Sequence, residues 1–168
     1  MLKEEIILGI DPGTAITGFG VIKWGKPKMN LIDFGLIKPP SRRLKSEKYL
    51  IIYESILTLI DRYNVTALAV ETQYVGKNAQ SGLTLGMARG VVMLAATLRK
   101  ISVFVYAPSQ AKRAVVGNGK ASKEQVRGMI RMLLELHTLP KEDAADALAL
   151  AICHANAIGS NSHLKYLY

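Results

Sequence analysis

Cysteine is nearly missing from this chain. Cys153 is the single one in 168 residues, so an intramolecular disulfide is excluded and a reducing compartment, the cytosol, is expected. No CxxC or mixed Cys/His spacing that would suit zinc is present. Long apolar runs are missing too. The longest, 91–98, is far short of the ~20 residues that cross a bilayer, so no membrane partner is expected. The opening Met1-Leu2-Lys3-Glu4-Glu5 carries acids where a signal peptide would carry an apolar stretch. Internal repeats, low-complexity blocks and composition breaks are also lacking, which predicts a single domain over residues 1–156 and a short tail over 157–168.

Acids are scarce: 13 Asp and Glu stand against 22 Lys and Arg, a net charge of +9. Such a balance either keeps the protein soluble or suits a polyanionic partner such as nucleic acid, because each neutralised phosphate releases counterions. Where the few acids fall therefore matters. The run Ile6-Ile7-Leu8-Gly9-Ile10 reads as a buried strand that ends on Asp11, and Pro12-Gly13 turns the chain there. Residues Thr17–Trp24 and Met29–Ile37 read as two further strands of an antiparallel meander. A helix is predicted over Ser46–Tyr63, closed by Asn64, and a fourth strand over Ala67–Val70 ends on Glu71. A polar loop, a helix over Ser81–Lys100, a strand over Ile101–Tyr106 and a short helix from Pro108 to Val115 follow. Ser122 and Gln125 form a capping-box pattern that starts a helix running to Leu136. The last helix spans Glu142–Asn156. These elements make an α/β mixed sheet flanked by helices.

Asp11 and Glu71 thus end two strands, and Asp143 and Asp146 lie three apart at the start of the last helix, on one face. Each has an ordinary explanation: a turn residue, a strand-end cap, acids favoured by the helix dipole. Together they suggest a negative site, if the fold brings them to one place. Uncompensated, such a cluster would raise its own pKa values. An all-carboxylate set suits hard cations, Mg²⁺ or Mn²⁺, and two of them suit phosphodiester hydrolysis. Lys123, Arg127 and Arg131 recur every four residues, either a solvated helix face or a phosphate-binding stripe. Lys77, Lys112, Arg113 and Lys120 add positive charge in or near loops expected around the acids. Tyr74 sits three residues past Glu71, either as core or as a ring that stacks on a base. Gly82, Gly86 and Gly90 lie four apart on one helix and call for a close neighbour, either the chain's own sheet or a second subunit.

With these residues assembled, the chain resembles the RuvC-type Holliday junction resolvases (crossover junction endodeoxyribonucleases). The resemblance is carried by Leu8-Gly9-Ile10-Asp11-Pro12-Gly13 with Thr17-Gly18-Phe19-Gly20, by Val70-Glu71 with Lys77-Asn78, and by Leu85-Gly86-Met87-Ala88-Arg89-Gly90. Val115-Val116-Gly117 and Asp143-Ala144-Ala145-Asp146-Ala147-Leu148-Ala149 complete it. It implies an RNase H-like fold with a five-stranded mixed sheet, three antiparallel strands followed by parallel ones. It implies a homodimer built on the glycine-bearing helix, and Mg²⁺-dependent paired nicking of four-way junction DNA in recombination and repair, leaving 5′-phosphate and 3′-hydroxyl ends. A branch-migration complex is the implied partner. The family's catalytic and metal-binding acids fall on Asp11, Glu71, Asp143 and Asp146, its junction-inserting aromatic on Tyr74, where many members carry Phe, and its lysines near the scissile phosphate on Lys112 and Lys123. An actin-like ATPase, which shares Asp-x-Gly, needs two related domains and more residues. An RNase H-like nuclease acting on structured RNA and a non-catalytic junction-binding protein remain the alternatives.

Overall fold

The computed structural model describes residues 4–25, 28–72 and 79–168. Strands β1 (Glu5–Asp11), β2 (Thr17–Gly25) and β3 (Lys28–Ile37) form an antiparallel meander, and β4 (Ala67–Glu71) and β5 (Ser102–Tyr106) join it in parallel. The order across the sheet is β3-β2-β1-β4-β5. The expected five-stranded mixed sheet is present. Between Val21 and Ile22 the β2–β3 register shifts, leaving Ile32 as an extra residue on β3, a bulge that bends that outer strand.

Both faces of the sheet are covered, so β1 and β4 read as nearly unbroken apolar runs. Alternation sorts their side chains. Ile7, Ala67 and Ala69 face one core with Leu148, Ile152 and Ile130. Leu8, Ile10, Leu68 and Val70 face the other, with Ile52, Ile56, Val92 and Ala96. The second core is closed by helices α1 (Lys45–Tyr63) and α2 (Ala79–Leu98). The first is closed by α3 (Pro108–Val116), α4 (Lys123–Leu133) and α5 (Glu142–Gly159).

Helix α5 lies against β1 and β2 because both strands carry glycine where it passes. A Cβ on Gly9 would land on the Ala147 carbonyl, and one on Gly18 on the Asp143 carbonyl. The helix is correspondingly rich in alanine on its buried side, with Ala144, Ala145, Ala147, Ala149 and Ala151 all buried. Small residues on both partners let the two backbones approach more closely than Leu or Ile would permit.

Several predicted boundaries shift. Helix α1 closes on Asn64 with φ 51°, as expected of a left-handed cap, and α4 opens on the Ser122–Gln125 box. That helix stops at Leu133 rather than Leu136, because Glu135 takes φ 53° and the Leu136 N–H returns to the Arg131 carbonyl at 2.9 Å. Helix α2 runs over Ala79–Leu98, two residues earlier at each end than read from the sequence. Helix α5 continues to Gly159, past the predicted end at Asn156. The tail is ordered on the sheet edge: a 3₁₀ turn over His163–Tyr166 leads to a bridge between Leu167 and Phe104, and the Tyr168 N–H donates to the Val103 carbonyl at 2.9 Å.

Candidate active site

Asp11 and Glu71 are the last residues of β1 and β4, neighbouring parallel strands in which Ile10 pairs with Val70. Two residues past Gly9 and Ala69, they share the face that carries α5. The same register aligns Asp11 with Gly18 on β2. Asp143, in the first turn of α5, sits with its carbonyl against Gly18. Asp146 follows one turn later. The fold thus gathers four acids from three elements at the carboxyl ends of the parallel strands, the end at which open α/β sheets form their sites.

Burial and neighbouring charges shift three of the four upward. Burial, then the charges of Asp146, Glu71 and Asp143, push Asp11 up to about 7 from its ordinary value of 3.8, against a smaller opposing pull from Lys123. Burial and the Asp146 charge raise Glu71 while Lys112 opposes. Asp146 is raised mainly by burial, with Lys123 and Lys112 pulling it down and Glu142 and Asp143 pushing it up. A cavity of about 200 Å³ holds Glu71, Asp146, Lys112 and Lys123 along its wall, floored by Ala111, Val126 and Ala149. Among the described residues no three Asp, Glu, His or Cys side chains are drawn close enough to share one metal ion. Without a cation, like charges are more stable apart. The donor set, half-buried carboxylates of which Asp11, Glu71 and Asp146 have raised pKa values, fits a hard divalent cation, whose binding would hold them ionised.

The basic residues divide. Lys112 is half-buried beside Glu71 and Asp146. Lys123 is exposed, lies near Asp146 and Asp11, and is ion-paired with Glu142 at the start of α5. Glu142 was not singled out in the sequence, and with the two 19 positions apart no local pattern could have linked them. Arg127 donates from Nε to the Pro140 carbonyl at 2.8 Å, so its guanidinium fastens the segment leading into α5. Arg131 and Lys120 are exposed. Arg113 is not brought to the acids. It lines a separate cavity with Cys153 and Asn156, while its neighbour Lys112 faces the carboxylates. Tyr74 and Lys77 lie outside the described residues.

A sheet of this order, with carboxylates ending its first and fourth strands and opening its last helix, defines an RNase H-like protein. Comparison with known proteins narrows this. The family model described as crossover junction endodeoxyribonuclease RuvC matches residues 7–154. A protein of that name from Protochlamydia amoebophila is 57% identical over 156 residues, 92% of this chain and 93% of the relative. One from Legionella pneumophila is 46% identical over 90% of this chain and 87% of the relative. Thermus thermophilus RuvC, solved in complex with a Holliday junction substrate, superposes with a TM-score of 0.88 at 32% identity, over 94% of this chain and 97% of that one. The yeast mitochondrial Holliday junction resolvase, 13% identical with a TM-score of 0.63 over 95% and 84%, shares the fold. The chain belongs to the RuvC family.

Proposed function

We propose that this protein is a structure-selective endonuclease that resolves four-way DNA junctions by paired nicks, in recombination and repair in the cytoplasm, with residues 1–156 as one nuclease unit. The observation that carries this reading is geometric: Asp11 and Glu71 end neighbouring parallel strands under the start of α5, which bears Asp143 and Asp146, and Lys112 and Lys123 line the same cavity as Glu71 and Asp146. A polyanion would not approach four uncompensated acids, so the reading requires cations. In the proposal the four carboxylates would hold two Mg²⁺, for which Mn²⁺ could substitute, and such ions would supply the chemistry of water activation and of charge neutralisation at the departing 3′ oxygen.

The remaining roles belong to the chain's own groups. Lys112, on the Glu71 side of the cavity, and Lys123, between Glu142 and the acids, offset charge that builds on the phosphate in the transition state. Tyr74 stacks on a base at the crossover, and Lys77, Arg113, Lys120, Arg127 and Arg131 contact phosphates outside the cut.

Paired nicks need two sites related by a two-fold axis, and α2 supplies a surface for self-association. Leu83, Met87, Gly90, Leu94 and Leu98 recur along one face, and the four side chains are all at least half exposed. A Cβ on Gly90 would meet nothing within 4 Å, so the chain's own sheet does not account for that glycine. By length and composition α2 would pass for a membrane span, which the shorter run 91–98 had hidden. A helix of a second copy is the proposed cover, and a branch-migration complex the further partner.

The test is an immobile four-way junction incubated with the protein with and without Mg²⁺, both nicks being mapped. Paired symmetric nicks that need the metal are expected, and Asp11→Asn should abolish them while leaving junction binding intact. Cutting by Asp11→Asn at near the parent rate would end the metal assignment. Cutting of structured RNA in place of the junction would move the substrate to RNA.

A further inference from the structure

A groove of about 380 Å³ opens between the exit of β3 and the segment that leads into α5. Phe34, Leu36, Leu139 and Pro140 form its apolar floor, and the exposed Lys38 and Lys141 stand on its rim. Neither lysine belongs to the basic set assigned above. No acid lines the groove.

Its place in the sheet gives it meaning. Asp11 pairs with Gly18, and Gly18 with Leu36, so the groove lies in the same row as the acids, two strands along. At a strand spacing of about 4.8 Å that is about 10 Å from Asp11. Ala144, which follows Asp143 directly, forms the wall between them. Lys112 and Lys123 stand on the other side of Asp11, toward Glu71 and β4. A strand cut at the acids would therefore meet ammonium groups on both sides of the break. Lys38 also begins a basic segment through Arg42, Arg43 and Lys45, of which Arg43 is held by Glu47 at 3.0 Å.

We propose that this groove carries the cleaved DNA strand away from the acids, with Lys38 and Lys141 on its phosphates and a sugar or unstacked base against Phe34, Leu36 and Pro140. Apolar floor with cationic rim is the chemistry of a single-strand path. With a rise of about 3.4 Å per nucleotide in stacked DNA and more where a base is unstacked, 10 Å puts the contacted phosphate within about three nucleotides of the nick. The proposal rests on the junction-cutting reading above and adds to it a specific exit path.

The experiment measures affinity of the full-length protein for a four-way junction as a function of salt, in the uncut Asp11→Asn background, with and without Lys38→Ala and Lys141→Ala. Both lysines are exposed, so folding is unaffected. Loss of two phosphate contacts lowers the slope of log affinity against log salt by about 1.4–1.8. A neutral methylphosphonate placed within about three nucleotides of the nick should weaken the protein that keeps both lysines and leave the double variant unchanged. An unchanged slope, or equal weakening of both proteins by that substitution, overturns the groove. The parent protein with Mg²⁺ runs alongside: if it cuts the junction and the slope is unchanged, only the groove fails. If it neither binds nor cuts, the junction reading fails and takes the groove with it.

Discussion

Burial and neighbouring acids push the Asp11 carboxyl up to about 7, which couples folding to pH. With Asp11 at about 7 in the fold and 3.8 when unfolded, the folded chain keeps a proton through that window that the unfolded chain has released. Stability therefore falls as pH rises from about 4 to about 7, and the full penalty, on the order of a few kcal/mol, stands above pH 7. Asp11→Asn should raise the melting temperature of the metal-free protein above pH 7 and leave it nearly unchanged below 3.8. Saturating Mg²⁺ should narrow that gap by stabilising the parent. His154 works in the opposite sense. Burial, with the nearby His163, depresses it to about 4 from 6.5, so its contribution is complete above 6.5 and is lost as pH falls toward 4. Its Nδ1 shares a 2.6 Å hydrogen bond with the buried Tyr106 hydroxyl. Tyr106→Phe leaves that nitrogen without a partner and should cost about 1–3 kcal/mol in urea unfolding at neutral pH. At this scale Asp11 and Glu71 were legible, because each closes an apolar run. The Lys123–Glu142 pair and the Tyr106–His154 bond were not, since both join residues whose encounter only the packing of α5 decides.

Among the elements, α5 carries two of the four acids, and its seat on β1 and β2 depends on missing side chains. Gly18→Ala would drive a methyl group into the Asp143 carbonyl. Since backbone rather than a flexible tip must yield, a loss of about 1–3 kcal/mol or more is expected, together with slower cleavage as Asp143 moves from Asp11. Denaturation and nicking rates on one preparation would check both. The apolar face of α2 leads to a different expectation. Leu94→Glu should leave the fold intact, because the side chain is 54% exposed, yet give a monomer by sedimentation. Element starts were legible where a side chain marks them, as at Ser122 and Pro108. The end of α4 was not, because Glu135 is no stop signal, and neither was the tail, whose pairing with β5 is made by backbone groups.

For the whole molecule, topology brings scattered acids to one end of the sheet. Parallel pairing of β1 with β4 puts Asp11 beside Glu71 although 60 positions separate the strands' registered residues, Ile7 from Ala67 among them. No periodicity foretells which strands become neighbours, so each apolar run and its closing acid were readable while the strand pairing that sets Asp11 beside Glu71 was not. On the proposed reading, the net charge of +9 would favour the approach of a polyanion that the acids alone would repel.

The most direct measurement is a Mn²⁺ titration followed by electron paramagnetic resonance, on the parent protein and on single Asn or Gln variants of Asp11, Glu71, Asp143 and Asp146, with cleavage of a four-way junction read on the same samples. The parent should bind the ion and cut, and every one of the four variants should lose both affinity and cutting while still binding the junction. A parent that binds no Mn²⁺, or variants that keep both ion and activity, would contradict a metal centre built from these four carboxylates.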